Sequence, residues 1–202
     1  MDDRSEIRAL GEIGEIRAGG DENARTITGY AAVFDAPTEI GGMFREQIRP
    51  GAFADAIKGD DVRALVDHNS SLVLGRTRAG TLRLSEDDRG LRVEIDLPET
   101  QLARDLAVSI ERGDVNQMSF GFSMRGGKEA WDDSGEVPLR TIERVGSLFD
   151  VSVVTYPAYP ETEAAVRSLG EYRFNRSRKE RLAVRDMLLR KRAALAALEI
   201  SR

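Results

Sequence analysis

The pattern of apolar and polar positions predicts a domain built mainly from β-strands. Two alternating runs around an Asp-Asp-Arg-Gly turn indicate a β-hairpin over residues 81–97. Apolar positions four residues apart predict an amphipathic helix over 99–113, with Leu102, Leu106 and Ile110 on its buried face. Further strands are predicted at 24–34, 44–48, 62–67, 72–76, 115–125 and 137–155 (broken near Gly146), with helical turns after Pro50-Gly51 and a short helix over 161–169. The pattern therefore predicts an α+β fold with a mainly antiparallel, β-barrel-like sheet and flanking helices.

Changes in composition divide the chain into three parts. Residues 1–22 are polar and lack periodicity, so we expect a weakly ordered lead-in there. Residues 23–170 hold the predicted domain, which ends after the two prolines of the segment 156–160. Residues 171–202 are basic, with ten Lys or Arg against four Asp or Glu, whereas the rest of the chain carries a net charge of −11. This asymmetry predicts a helical tail with a separate role, or one that docks on an acidic partner.

Composition excludes several kinds of functional site. The chain of 202 residues has no cysteine, which rules out disulfides, a thiolate nucleophile and a thiolate zinc site. A single histidine rules out a metal site built from several imidazoles. The acidic start of the chain does not resemble a secretory signal, and no apolar run reaches the ~20 residues of a membrane span. We therefore expect a soluble protein of cytoplasmic type.

Ser119 is a candidate nucleophile because of its place in the strand predicted at 115–125. Alternation puts Met118, Phe120 and other large apolar residues on one face of this strand. Ser119 then lies on the opposite face, beside Gly121, and the missing side chain there leaves room for a substrate or a close backbone approach. An ordinary outward-facing strand serine fits the same pattern.

Asp150 and His68 also stand out against apolar strands. Asp150 lies within a strongly β-prone run, where burying a carboxylate is costly unless it has a partner. It could pair with an arginine of a neighbouring strand, or it could orient an imidazole. His68 is the only histidine and follows the strand predicted at 62–67, where it could reach into a cleft or simply be solvated. Asp67, beside it, is a weaker orienting candidate than Asp150.

Together these three residue types are those that nucleophilic acyl transfer requires. A hydroxyl becomes a good nucleophile when a base removes its proton, and imidazole titrates near neutral pH. An acid can then fix the tautomer of the imidazole. The prediction from the residues alone is a possible site formed by Ser119, His68 and Asp150.

The chain resembles the prohead proteases of tailed bacteriophages, which are capsid maturation serine proteases related in fold to herpesvirus assemblins. The resemblance is carried by GYAAVFD (29–35), REQIRPGAF (45–53), LVDHNSSLVLG (65–75), DDRGLRVEIDLPET (87–100), MSFGF (118–122) and SLFDVSVVTYPAYPET (147–162). The order and spacing of these segments make the match specific, although each alone is weak.

The resemblance implies a herpesvirus-assemblin-like fold and a serine endopeptidase, which requires no cofactor or metal. The family's histidine falls on His68 and its serine on Ser119, and the acidic position before Val-Ser falls on Asp150. Asp150 stands where family members often carry glutamate, and no second histidine is available as the third group of an assemblin. The expected substrates are the scaffolding domain of the major capsid protein and the protease itself, which is expected to be a homodimer.

The expected location is the host cytoplasm, in the interior of the assembling procapsid. No membrane and no specific nucleic acid are expected as partners. The competing interpretation is a non-catalytic scaffolding or capsid-assembly protein with the same fold. The basic tail predicts a helix that docks on an acidic scaffold, although a solvated terminal helix fits its pattern equally well.

Overall fold

The computed structural model describes residues 5–18, 25–156 and 163–200. The strands are β1 (Ser5–Ala18), β2 (Arg25–Val33), β3 (Thr38–Ile40), β4 (Phe44–Ile48), β5 (Arg63–Val66), β6 (Asn69–Arg76), β7 (Leu82–Glu86), β8 (Gly90–Asp96), β9 (Gln117–Ser123), β10 (Lys128–Asp132), β11 (Leu139–Arg144) and β12 (Ser147–Val154). The helices are α1 (Ala54–Gly59), α2 (Gln101–Glu111) and α3 (Glu163–Ile200), with a short 3-10 helix at Thr77–Ala79. The α+β class predicted from the sequence is confirmed.

The strands form two open sheets. The larger has the order β6-β5-β12-β9-β1-β2-β8-β7, and the smaller has the order β10-β11-β4-β3. Most pairs are antiparallel, while β12–β5 and β11–β4 are parallel. The expected barrel-like sheet is corrected, because β6 and β7 remain edge strands among the described residues. The end of β6 and the start of β7 are joined by a hydrogen bond from the Arg76 amide to Thr81 Oγ1. The two strands are not paired with each other in the sheet.

The predicted local elements explain how the core is built. In β9, Met118, Phe120 and Phe122 have no exposed surface, and the Phe120 ring packs edge-on against Phe53 at 5.3 Å. The predicted helix is α2, whose first turn is capped by Thr100 Oγ1, which accepts the Ala103 amide. Phe53, at the start of α1, and the apolar face of β9 belong to one core.

The predicted hairpin is confirmed as β7–β8. Gly90 was expected to serve as a turn residue with a positive φ angle, but the structure shows a different reason for it. The turn is held by Asp87 Oδ1, which accepts the amides of Arg89 and Gly90. A Cβ on Gly90 would overlap the carbonyl oxygen of Ala32. Glycine is therefore required at position 90 by the close approach of β2, and its φ angle is not positive.

The first part of the chain differs most from expectation. Residues 5–18, within the predicted lead-in, form β1, which lies between β9 and β2 in the larger sheet. The sequence pattern missed this strand because Glu6 and Arg8 are buried charges that pair with each other and with the smaller sheet. The rest of the lead-in, at 1–4 and 19–22, lies outside the described residues.

The C-terminal part is a single helix. The compact unit of strands extends to Ala164, and the remainder of the chain forms the second unit. Since α3 runs from Glu163 to Ile200, the boundary expected between residues 170 and 171 falls inside it. The proline-containing segment at 157–160 lies outside the described residues. Among the helices that are described, none is long and apolar enough to cross a membrane.

Candidate active site

Two neighbouring strands supply most of the site. In the antiparallel β9–β12 pair, Ser119 lies opposite Ser152, and Gly121 lies opposite Asp150. Phe149 has no partner in this register, so it forms a bulge that reverses the alternation along β12. As a result Asp150 and Ser152 share a face with Ser119, while Leu148 and its successors at 151 and 153 pack into the core.

His68 reaches this face from a tight hairpin turn. Val66 pairs with Asn69, so Asp67 and His68 form a two-residue turn between β5 and β6. Both have positive φ angles, +49° and +55°, which two-residue hairpins favour but which side chains other than glycine rarely adopt. Asp67 anchors the turn, because its carboxylate accepts the amide and the hydroxyl of Thr155 beyond β12. Its carboxylate therefore serves the turn, and Asp150 is the acid beside the imidazole.

His68 lies within hydrogen-bond distance of both Asp150 and Ser119. His68 Nδ1 is 2.6 Å from Asp150 Oδ1, and His68 Nε2 is 2.7 Å from Ser119 Oγ. A carboxylate can only accept, so Nδ1 carries a proton. In the neutral imidazole Nε2 then presents its lone pair to the serine hydroxyl. This arrangement can remove a proton from Ser119 and hold the resulting imidazolium against Asp150.

The site is buried and borders a cavity. Ser119 has no exposed surface, and the side chains of His68 and Asp150 are 11% and 5% exposed. The adjacent cavity has a volume of about 620 Å³. It is lined by Asp60, Asp61, Arg63, Leu65, His68, Ser70, Ser147, Leu148, Phe149 and Asp150. The sequence alternation placed Ser119 on the correct face of β9, but that face is buried and not solvent-exposed.

The backbone of β1 also contacts the serine. The Ser119 hydroxyl lies 2.9 Å from the carbonyl oxygen of Arg8, which can only accept a hydrogen bond. The hydroxyl has one proton, so it can donate to this carbonyl or to His68 Nε2, but not to both. Donation to the imidazole is the arrangement that general-base chemistry requires.

A buried ion cluster holds this part of β1. Arg8 and Arg140 each contact both Glu6 and Glu46, at 2.6–3.1 Å, and the four side chains are at most 7% exposed. Burial alone would raise the pKa of Glu6, but hydrogen bonding and charge from Arg140 and Arg8 outweigh it and lower that pKa. We name Glu6, Arg8, Glu46 and Arg140 the ion cluster. It links the strand next to Ser119 to the smaller sheet.

Several residues at the site were missed by the sequence analysis. Ser152 donates to Asp150 Oδ1 at 2.7 Å and has no exposed surface. Gly121 was expected to make room for a substrate or for a close backbone approach, whereas the space beside it is filled by the Asp150 carboxylate. The signal for Ser152 was its place two residues after Asp150, which puts both on one face of a strand. No local signal pointed to the Arg8 carbonyl.

Comparison with known proteins gives a structural neighbour and a family. The structure of the bacteriophage T4 capsid assembly protease gp21 is similar to this chain with a TM-score of 0.52 at 13% sequence identity. The match covers 75% of this chain and 96% of that chain, and at such low identity it concerns the fold. No curated protein matches this chain. The model of the caudovirus prohead serine protease family matches residues 14–174.

That match spans most of the chain and includes every residue of the candidate site on β5, β9, β12 and the hairpin turn. It confirms the resemblance read from the sequence, while the relation to herpesvirus assemblins stays a prediction. The chain belongs to the caudovirus prohead serine protease family.

Proposed function

We propose that this protein is a serine endopeptidase that cleaves the scaffolding region of the major capsid protein, and itself, during maturation of a phage procapsid. The observation that carries the proposal is the position of His68, whose two ring nitrogens contact Ser119 Oγ and Asp150 Oδ1. Membership of the caudovirus prohead serine protease family supports both the reaction and the setting. The interior of the procapsid, in the host cytoplasm, is the corresponding location.

The proposed reaction uses each group in turn. His68 Nε2 accepts the proton of Ser119 as Oγ attacks the carbonyl carbon of the scissile peptide bond. Asp150 stabilises the imidazolium and keeps Nδ1 protonated. The imidazolium then gives its proton to the leaving amine, the C–N bond breaks, and an acyl-enzyme remains. Water, deprotonated by His68, hydrolyses the ester and restores Ser119.

The alternative is a capsid-assembly protein with this fold and no catalysis. The observation on its side is the complete burial of Ser119, with the Arg8 carbonyl next to its hydroxyl. A peptide substrate can reach Oγ only if this arrangement opens. The two functions therefore differ in whether any peptide bond is cut when capsids assemble.

The test is intact-mass analysis of co-expressed proteins. The major capsid protein of the same phage is expressed with the wild-type chain, with Ser119→Ala or with His68→Ala. Trimming of the capsid protein by the wild type alone, with a cleavage rate lowered about 10⁴-fold or more in the variants, supports the proposed protease activity. Ser123→Ala, a buried serine of the same strand, is the matched control and should cleave normally. Full-length masses in every sample, with capsids assembled, would establish the alternative.

The basic segment 171–202 is proposed to bring the protease to an acidic part of the scaffold, and a homodimer is the proposed assembly. Arg173, Arg181 and Arg185 are exposed on α3. Replacing these three residues by glutamate should reduce the amount of protease in isolated procapsids, measured by quantitative immunoblotting. Packaging equal to that of the wild type would contradict the docking role.

Sedimentation analysis of the wild type would test the proposed homodimer.

A further inference from the structure

Asp150 Oδ1 accepts hydrogen bonds from two side chains. One donor is His68 Nδ1 at 2.6 Å, and the other is the hydroxyl of Ser152 at 2.7 Å. Ser152 Oγ also lies 3.3 Å from His68 Nδ1, so these three polar atoms form a closed triangle. The reaction described above assigns no task to Ser152.

Counting protons fixes the direction of each bond. The ionised carboxylate of Asp150 only accepts, so the single hydroxyl proton of Ser152 goes to Oδ1. The oxygen of Ser152 then turns its lone pairs toward the protonated Nδ1 of His68. Ser152 thus favours the same imidazole tautomer that Asp150 favours, from a second direction.

The other carboxylate oxygen of Asp150 occupies the space that a glycine leaves open. Gly121 lies opposite Asp150, and a Cβ at position 121 would overlap Oδ2. The carboxylate therefore lies between the bare backbone of β9 and the hydroxyl of Ser152. With Oδ1 bonded to two donors and Oδ2 packed against Gly121, rotation of the carboxylate about the χ2 angle is restricted.

We propose that Ser152, together with Gly121, is a positioning element that fixes the carboxylate plane of Asp150 and thereby holds His68 in its Nδ1-protonated tautomer. The catalytic consequence rests on the proposed function, but the effect on the tautomer does not. Ser152 acts through Asp150 and touches no reacting atom. A serine that merely satisfies buried polar groups would leave the imidazole unchanged when removed.

His68 is the only histidine in the chain, so its ring nitrogens can be observed without ambiguity. The experiment is ¹⁵N NMR of the histidine side chain in the wild type, Ser152→Ala and Ser152→Thr at a pH where the ring is neutral. The wild type and Ser152→Thr should show a protonated Nδ1. Ser152→Ala should show a mixture of tautomers and faster exchange of the Nδ1 proton with water. The same tautomer population in Ser152→Ala as in the wild type would overturn the proposal.

Two further variants keep the test decisive. Ser123 lies on the same face of β9 as Ser119, and its buried hydroxyl accepts the amide of Arg125. Ser123→Ala should therefore leave the His68 spectrum unchanged. Ser152→Cys nearly preserves the side-chain volume, but its thiol is a weak donor, so its spectrum should resemble that of Ser152→Ala. If Ser152→Ala does not fold, Ser152→Cys takes its place in the experiment. A spectral change as large in Ser123→Ala as in Ser152→Ala would also overturn the proposal.

Kinetics add a separate readout once a cleavable substrate is in hand. Ser152→Ala should lower kcat by roughly tenfold with little change in KM, because a hydrogen bond to a charged group is lost away from the substrate. In an Asp150→Asn background the same substitution should have almost no further effect. Equal effects in both backgrounds would contradict action through Asp150. Absence of all cleavage would refute the proposed function and leave the NMR result standing.

Discussion

Glu46 and Arg140 are register partners in the parallel β4–β11 pair, and their side chains form a 2.8 Å ion pair with almost no exposed surface. Arg8 and Glu6 complete the buried ion cluster, and the partly exposed Glu129 adds a third carboxylate that pairs with Arg140 at its edge. Such a cluster is costly to desolvate, but the loss of one member leaves an unbalanced charge in the interior. The four side chains therefore depend on one another.

The first prediction concerns this dependence. Glu46→Gln should lower the free energy of unfolding by about 3–5 kcal/mol, because Arg8 and Arg140 then share Glu6 as their one buried carboxylate, and Glu129 reaches only Arg140 from a partly exposed position. Chemical denaturation measures the change. The control is Glu143→Gln, since Glu143 pairs with the mostly exposed Lys128 and should cost less than about 1 kcal/mol. Similar losses in both variants would show that the cluster does not stabilise β1.

The second prediction concerns Gly121. In Gly121→Ala the new methyl group overlaps Asp150 Oδ2 and must displace the carboxylate or the β9 backbone. Stability should fall by about 1–3 kcal/mol. If Asp150 orients the base, cleavage should fall by roughly 10²-fold, because misplacement of this size is costly for catalysis.

Gly59→Ala is the matched control for Gly121→Ala. A Cβ on Gly59 meets nothing within 4 Å, so neither stability nor cleavage should change appreciably. Unfolding curves and intact-mass assays of both variants provide the comparison. Normal cleavage by Gly121→Ala would show that the position of the Asp150 carboxylate is not important.

The third prediction concerns the turn that carries His68. Asp67→Ala removes the bonds to Thr155 and leaves alanine at a positive φ angle, so stability should fall by about 1–3 kcal/mol. Asp67→Asn retains an acceptor and tolerates this backbone conformation, so its loss should be under about 1 kcal/mol. Thermal unfolding of the two variants measures this order. The reverse order would contradict the anchoring role of Asp67.

The fourth prediction concerns acid stability. The Arg76 guanidinium, with Arg63 and Arg78 nearby, lowers the pKa of Asp61 from 3.8 to about 2. A carboxyl group with a depressed folded-state pKa stabilises the protein above its unfolded pKa and loses this contribution as pH falls. The advantage of the wild type over Asp61→Asn should therefore be full above about pH 4 and shrink between about pH 4 and 2.

Unfolding measured at pH 5 and at pH 2.5 tests this dependence. In Arg76→Gln the main cause of the lowered pKa of Asp61 is removed, so the pH dependence linked to Asp61 should largely disappear. A constant difference between the wild type and Asp61→Asn over this range would refute the linkage.

The parts of the site that could be predicted from sequence depend on local patterns. The period of two in a strand placed Ser119 opposite the face formed by Phe120 and Phe122, and the end of the strand predicted at 62–67 placed His68 at a turn. Each of these inferences needs only neighbouring residues. The geometry among Ser119, His68 and Asp150 agrees with the predicted roles, which remain to be tested by the variants above.

The parts that could not be predicted depend on pairing between distant segments. Glu6 looked like a solvated residue because its partner Arg140 lies 134 positions away. The bulge at Phe149 has no signature in the sequence, yet it decides which face Asp150 and Ser152 share. An open sheet and a closed barrel also have the same local alternation, so the expected barrel could not be excluded.

The position of β12 has a consequence for the order in which the site forms during synthesis. In the described sheet, the β5–β6 hairpin joins the other strands through β12, which pairs with β5 on one side and β9 on the other. A nascent chain that has emerged from the ribosome only as far as β11 contains His68 and Ser119 but has no strand to bring them together. Ser119 and His68 are therefore brought together only when β12, the last of the described strands, has been made. If they act as proposed, the protease would be inactive in an incomplete chain.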